Sequence, residues 1–322
     1  MNEVTQITGE SPDSAQPIAN FRAVLWENNT MTNLGSLGGS SSKGRAVNDS
    51  GTVVGYSNLS GDTSSPTHAF SYSNSVMTDI GALPGDMFAV AEDINNSGKI
   101  VGYSVNEPSG NFHAFTYKNS VMTDLNPLLG MGVTSFAYGV NNAGDVVGFA
   151  GTAFLYKNGT VTNLGTLGGN NSTAYDINNN GAIVGSAETL SNMDHAFAYI
   201  NGLMTDLGIL SGDDESYANA INDNGLIVGR SETSVADQTA FLYDGTLHNL
   251  NDLLTTPTTF ELWEATDINN SGQIVGWGRD PVNSQVAGFL LTPVPEPTTV
   301  GLFVFGVGIL FRKISMRSGT KR

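Results

Sequence analysis

A Val-Gly step recurs along this chain of 322 residues, with its glycine at positions 55, 102, 148, 185, 229 and 276. The spacings of 47, 46, 37, 44 and 47 residues are too regular for chance and mark one structural unit used repeatedly. The fourth copy shows the unit most cleanly. Ala153-Phe154-Leu155-Tyr156 is followed by Asn158-Gly159, and Val161-Thr162-Asn163-Leu164-Gly165 comes next. Asp176-Ile177-Asn178-Asn179-Asn180-Gly181 then leads into Ile183-Val184-Gly185. Each unit thus has four short apolar or alternating runs separated by turn residues, which predicts four strands. We name these strands AF, TDLG, DIN and VG after their residues.

The link from DIN to VG is Asn-x-x-Gly in all six copies: Asn48/Gly51, Asn95/Gly98, Asn141/Gly144, Asn178/Gly181, Asn222/Gly225 and Asn269/Gly272. Asparagine opens a tight turn by bonding its own backbone, and glycine accepts the left-handed conformation that follows. Phe70, Phe115, Phe154, Phe197 and Phe241 supply the bulk of successive core layers. Four strands per unit at this spacing predict an all-β fold, a β-propeller of about seven four-stranded blades over residues 1–291. A β-helix or open solenoid is the alternative. Ile7 to Ser11 aligns with Val53 to Ser57 at an offset of 46, so the chain begins inside a repeat. With blades ordered TDLG–DIN–VG–AF, the first would be half missing. Met1 to Glu10 has neither a basic nor an apolar region, so a signal peptide is expected to belong to a missing upstream stretch.

Charge narrows the partners. The net charge is −17, and five of the 13 basic residues lie among the last eleven, leaving 8 − 30 = −22 on residues 1–311. Such a surface repels nucleic acid and anionic lipid and suits cations, neutral glycans or proteins. The chain has no cysteine, which excludes disulfides and thiolate metal sites.

After residue 291 the composition changes. A Pro/Thr linker at 292–299 precedes an uncharged run from Val300 to Phe311 and a basic end. The prolines are expected to stop the last strand. With Thr298 and Thr299 the run has fourteen residues and is expected to form a short apolar helix of about 21 Å, against about 30 Å for a bilayer core. Val294-Pro295-Glu296-Pro297, the apolar run, and Arg312-Lys313 together resemble the PEP-CTERM sorting signal of exopolysaccharide-producing Gram-negative bacteria. The resemblance implies that an exosortase in the inner membrane processes residues 300–322 and that this chain is its substrate. A plain tail anchor is the other reading. The tripeptides His68-Ala69-Phe70, His113-Ala114-Phe115 and His195-Ala196-Phe197 resemble the HAF family of extracellular repeats. That family implies a secreted or surface location and no established activity. Arg22, Thr152 and Thr239 replace the histidine in the other copies, so it is not structurally required.

No constellation of catalytic residues stands out. Asp93/Asn95, Asp176/Asn178 and Asp267/Asn269 resemble the first half of a calcium loop, with oxygens at alternate positions before a glycine. The twelfth position after Asp93 is Ser104, however, and Ala46, Gly139 and Ala220 replace the aspartate in alternate copies. A turn accounts for the residues that persist, so no cofactor is expected, with calcium as the minor alternative. His68, His113 and His195 are expected at strand ends, bonded to a turn. Asp213-Asp214-Glu215 is expected to be a solvated loop tip, and the Gly-rich Leu164–Gly169 lacks the lysine and helix of a phosphate cradle.

The sequence therefore predicts an exported structural or binding protein of the cell envelope or surface, or secreted. It would be anchored transiently in the inner membrane with its C-terminus cytoplasmic. Exopolysaccharide or other surface proteins are the expected partners. A glycan-active enzyme using channel carboxylates is the alternative, and a pure binding module would display aromatics such as Trp26, Trp263 and Trp277 on one face.

Overall fold

A computed structural model describes residues 1–12, 20–60, 66–106, 110–130, 132–235, 237–255, 258–282 and 284–294, and the strand backbone at 304–309. The sheets are built from antiparallel meanders. The first contains Ile7–Pro12 (β1), Phe21–Glu27 (β2) and Thr30–Asn33 (β3). The second joins Gly38–Val47 (β4), Val53–Leu59 (β5), Thr67–Ser73 (β6) and Val76–Gly81 (β7) to Phe88–Ile94 (β8), Ile100–Asn106 (β9), Asn111–Lys118 (β10) and Val121–Asp124 (β11). The third has Phe136–Val140 (β12), Val146–Ala150 (β13), Thr152–Lys157 (β14) and Thr160–Asn163 (β15). The fourth has Gly168–Ile177 (β16), Ile183–Thr189 (β17), Asp194–Ile200 (β18) and Leu203–Gly208 (β19). Glu215–Ile221 (β20), Ile227–Glu232 (β21), Gln238–Tyr243 (β22) and Leu247–Asn249 (β23) make the fifth. Glu261–Ile268 (β24), Ile274–Asp280 (β25), Gln285–Val294 (β26) and Val304–Ile309 (β27) make the last.

The fold is a β-propeller of repeated small antiparallel sheets. Where about seven four-stranded blades were expected, five sheets carry four or more strands and one carries three. The eight-stranded sheet arises because a single parallel pair, Thr67 with Phe88, joins two four-strand meanders. The order within a sheet also differs from expectation: it runs DIN–VG–AF–TDLG rather than beginning with TDLG. The AF and TDLG strands are joined by two residues in the left-handed region, such as Asn74-Ser75, Asn119-Ser120, Asn158-Gly159 and Asn201-Gly202. Two-residue loops of that conformation close hairpins, so AF and TDLG must pair within one sheet.

The DIN strands β4, β8, β12, β16, β20 and β24 are innermost, each touching the next around the axis. Phe70, Phe115, Phe154, Phe197, Phe241 and Phe289 lie buried between sheets, each clustered with DIN and VG side chains of its own meander and AF side chains of the preceding one. The glycine is required for space in the six VG strands from β5 onward, though not at Gly9 of β1. At Gly55, Gly102, Gly148, Gly185, Gly229 and Gly276 a Cβ would overlap a carbonyl oxygen of the paired DIN strand. Serines lock neighbouring sheets, since the Oγ atoms of Ser42, Ser135, Ser172 and Ser216 accept the N–H of Ala23, Ala114, Ala153 and Ala196 at 2.8–2.9 Å.

The expected apolar helix at the C-terminus is not formed. Val304 to Ile309 is instead β27, paired with β26 from Val294↔Val304 to Phe289↔Ile309. The last AF strand has no TDLG strand after it, so its edge is open, and Val, Phe and Ile interspersed with Gly favour strand over helix. β26 also runs through Pro293 rather than stopping before it. Pairing with β25 ends at Leu291, so Pro293 is paired on one side only, where a missing N–H is tolerated. Among the described residues no helix is long and apolar enough to cross a membrane.

Candidate binding channel

The DIN–VG turns ring one end of the axial channel. In each, the asparagine Oδ1 accepts the N–H four residues on, and in Asn48, Asn95, Asn178 and Asn222 also the one two residues on, as Asn95 does from Ser97 at 3.0 Å and Lys99 at 2.9 Å. Gly51, Gly98, Gly144, Gly181, Gly225 and Gly272 take φ between 74° and 87°. The asparagine amide is then free to reach the next unit. Asn2 Nδ2 donates to the carbonyl of Asn48 at 2.9 Å, Asn48 to Asn95 at 3.1 Å and Asn95 to Asn141 at 2.8 Å. Asn141 donates to Asn178 at 3.3 Å, Asn178 to Asn222 at 2.9 Å and Asn222 to Asn269 at 3.0 Å. Asn269 closes the circle on Asn2 at 3.4 Å.

A second circle lies beside the first. The N–H groups of Glu3, Asp49, Asn96, Asn142, Asn179 and Asp223 each donate to the side chain of the equivalent residue one unit on, at 2.7–3.0 Å. Asn270 N–H completes it on the Glu3 carboxylate at 2.9 Å. A seventh turn, Asn2 to Thr5, joins the six that the Asn-x-x-Gly pattern marks. The alignment of Ile7 with Val53 contains it, but Thr5, at φ 62°, stands where the other turns have glycine.

Inside these circles is a polar cavity of about 330 Å³ into which Asp93, Asp176 and Asp267 face. Asp93 accepts the N–H of Ile94 at 2.7 Å and of Val140 at 2.8 Å. Asp176 accepts from Ile177 at 2.7 Å and Ile221 at 2.8 Å. Asp267 accepts from Ile268 at 2.8 Å and from the Met1 ammonium. Burial pushes Asp93 up to about 6 and Asp176 up to about 7, with repulsion from neighbouring carboxylates adding to it and the N–H bonds opposing it. The oxygens considered for calcium at Asp93, Asn95, Asp176, Asn178, Asp267 and Asn269 are therefore directed at backbone N–H groups and, for one oxygen of Asp267, at the Met1 ammonium. Among the described residues no three His, Cys, Asp or Glu side chains are grouped to hold a metal ion.

One step further along, every inner strand has a β-bulge at the same place. Pairing skips from Gly44 to Ala46, Ala91 to Asp93, Ala137 to Gly139, Ala174 to Asp176, Ala218 to Ala220 and Ala265 to Asp267. The unpaired residues are Arg45, Glu92, Tyr138, Tyr175, Asn219 and Thr266. A bulge re-aims a side chain, and here it turns six side chains of five kinds out of an otherwise repeated frame. Arg45 Nε is 3.4 Å from Glu92, and the Tyr138 and Tyr175 rings are 5.8 Å apart. Asn219 is tied to Glu264 at 2.9 Å, and Glu264 also accepts from Arg230 at 2.8 Å and Trp277 at 2.7 Å. Burial raises the Glu92 carboxyl against the pull of Arg45 and Lys43, and it raises the Tyr103, Tyr138 and Tyr175 hydroxyls.

The remaining candidates lie away from the axis or apart from one another. His68 and His195 bond Asp79 and Asp206 at 2.9 Å, and His113 lies 4.0 Å from Asp124, all on the outer strand pair of their meanders. Of Asp213, Asp214 and Glu215, Asp214 accepts from Ser234 N–H at 2.8 Å and Glu215 from the Tyr217 hydroxyl at 2.8 Å, while one Asp213 carboxylate oxygen is buried without a hydrogen-bond partner among the described residues. Trp263 and Trp277 meet edge to face at 5.7 Å, whereas Trp26 stands across from Ile7 and Met31 in the first sheet. Val294 ends β26, and Pro295, Glu296, Pro297, Arg312 and Lys313 lie outside the described residues.

A family model described as a protein of unknown function (DUF3466) matches residues 165–278, about a third of the chain. No curated protein gives a match. Among solved structures, the β-propeller domain of the trilobed protease from Pyrococcus furiosus, described as having an open velcro topology, is similar at 7% identity and TM-score 0.54 over 88% of this chain and 90% of that one. The acylaminoacyl peptidase of Pyrococcus horikoshii is similar at 8% identity and TM-score 0.50, with 90% of this chain covering 50% of that one. TolB from Acinetobacter baumannii gives 12% identity and TM-score 0.48, with 89% of this chain covering 60% of that one. At such identities the likeness concerns the propeller fold alone.

Proposed function

We propose that this chain is an exported binding protein of the cell surface or its surroundings, working without catalysis in an exopolysaccharide or biofilm setting. The observation that carries the binding reading is the contrast at the axis. Two circles of repeated hydrogen bonds adjoin a set of bulge residues, Arg45 to Thr266, that do not follow the repeat. A scaffold alone has no use for such variety. The commitment of Asp93 and Asp176 to two N–H groups each supports a non-catalytic role. We further read the propeller as seven repeated units, the eight-stranded sheet counting as two, because seven turns form each circle. The glycan-active alternative rests on Glu92 and Glu264, which are non-repeating carboxylates near the axis.

The tail carries the export reading. Val294-Pro295-Glu296-Pro297, the apolar run to Phe311, and Arg312-Lys313 have the order of a PEP-CTERM sorting signal. Anchoring in the inner membrane with a cytoplasmic C-terminus requires β27 to leave β26. An exosortase would then process the segment and deliver the propeller outside. The test is C-terminal mass mapping of the chain, given a signal peptide, in hosts with and without that enzyme. Loss of the residues after Pro297 only where the enzyme is present is expected. A tail intact to Arg322 in both hosts would sink the export reading.

A further inference from the structure

We propose that the bulge residues Arg45, Glu92, Tyr138 and Tyr175, with Tyr103 beside them, form a recognition site for a neutral saccharide at the axis, beyond the asparagine circles. This deepens the binding reading above and rests on it. Arg45 and Glu92 come from neighbouring inner strands and place a guanidinium and a carboxylate 3.4 Å apart. Side by side they offer donors and an acceptor, the complement of the vicinal hydroxyls of a sugar ring. The Arg45 side chain is 35% exposed and that of Glu92 14%, so the pair is held by protein yet reachable from solvent.

The next two positions in the circle supply aromatic faces. Tyr138 and Tyr175 meet edge to face at 5.8 Å, and Tyr138 stacks on Phe136, which in turn meets Tyr103 at 5.0 Å. These rings are half-buried, held by one another, and present C–H-binding faces with hydroxyls at their tips. The Tyr175 hydroxyl lies 3.3 Å from Ser186 Oγ, while the Tyr138 and Tyr103 hydroxyls have no hydrogen-bond partner among the described residues. Rigid tyrosines with open hydroxyls provide contact area at small entropic cost.

Charge selects within the class. Asp93, Asp176 and Asp267 face the adjoining part of the channel and make an anionic ligand unfavourable. Arg45 stands in the site itself and makes a cation unfavourable at the same point. A neutral polyol satisfies both constraints.

The test is calorimetric titration of the full-length chain with neutral gluco-, manno- and galacto-hexasaccharides, with trigalacturonate and choline as anionic and cationic probes. At least one neutral hexasaccharide should bind with about millimolar affinity or better. Tyr138→Ala should weaken it by roughly tenfold or more. Tyr138→Phe and Glu92→Gln, which keep the packing, should weaken it measurably while leaving the melting temperature in place. Absence of binding by every neutral hexasaccharide would overturn the proposal, as would affinity unchanged in all three variants, or binding of choline or trigalacturonate alone. Release of new reducing ends from a bound hexasaccharide would support the site and overturn the non-catalytic reading instead. Tail processing is read separately by mass and bears on neither result.

Discussion

Asp93, Asp176 and Asp267 occupy the position two residues before the ring asparagine in alternate units, and Ala46, Gly139 and Ala220 occupy it in the others. The reason is stoichiometric. The N–H that follows this position faces the channel in successive units, and an unpaired buried N–H is costly. One carboxylate has two oxygens, so it serves its own unit and the next, as Asp176 serves Ile177 and Ile221. A carboxylate in every unit would be redundant and would add repulsion. The same burial sets a pH dependence. Asp93 is raised to about 6 and Asp176 to about 7, while a carboxyl in the unfolded chain titrates near 4. The folded state therefore binds these protons more tightly. The stability they contribute is complete below about pH 4 and is lost as pH rises through 6 to 7. We expect unfolding free energy from urea titration to fall by about 4 kcal/mol between pH 5 and 8, roughly a third of it from Asp93 and two thirds from Asp176. The double variant Asp93→Ala/Asp176→Ala should lose most of that slope, and an unchanged slope would refute the assignment.

Within each meander the AF and TDLG strands vary together. Where AF opens with His68, His113 or His195, the facing strand carries Asp79, Asp124 or Asp206; where it opens with Arg22, Thr152 or Thr239, the partner is Asn33, Asn163 or Asn249. Both Asp and Asn accept the N–H two residues on, as Asp79 does from Gly81 at 2.7 Å and Asn163 from Gly165 at 2.8 Å. Only the aspartate has a second anionic oxygen for a histidine. This explains why the histidine that marks the repeat is dispensable: the turn is retained without it, and only the extra pair is lost. A double-mutant cycle on His68→Thr and Asp79→Asn should give a coupling of about 0.5 kcal/mol, in the range of partly exposed pairs. A double variant losing the sum of the two single losses would show that the pair is uncoupled. The element that pattern reading misjudged, residues 304–309, is a short apolar run whose period does not distinguish helix from strand. An unpaired edge on β26 decides it.

At the scale of the molecule the propeller is closed by side chains rather than by a shared strand. No strand pairing joins the first and last sheets among the described residues, yet Asn269 to Asn2, Asn270 to Glu3 and Thr5 to Gln273 bridge them. Deleting residues 1–6 opens both circles at one point. We expect the melting temperature to fall by several degrees, roughly what a loss of 2 kcal/mol does in a chain of this size. An unchanged melting temperature would show that the circles do not hold the ends together. The sequence by itself determined the repeated four-strand unit, its turns and its phenylalanine core, because periodicity and turn chemistry are local and were repeated six times. It also contained the hairpins that set strand order, in the Asn-Gly and Asn-Ser pairs. Tertiary structure alone decided which asparagine atoms were left over once each turn was made, and that these atoms meet in circles across units about 37 to 47 residues apart. It decided, too, that a one-residue bulge turns Arg45, Glu92, Tyr138 and Tyr175 toward a common axis. In the sequence these four look like noise within a repeat. Only closure of the ring brings them together, because a bulge is a property of paired strands and an axis is a property of the whole ring.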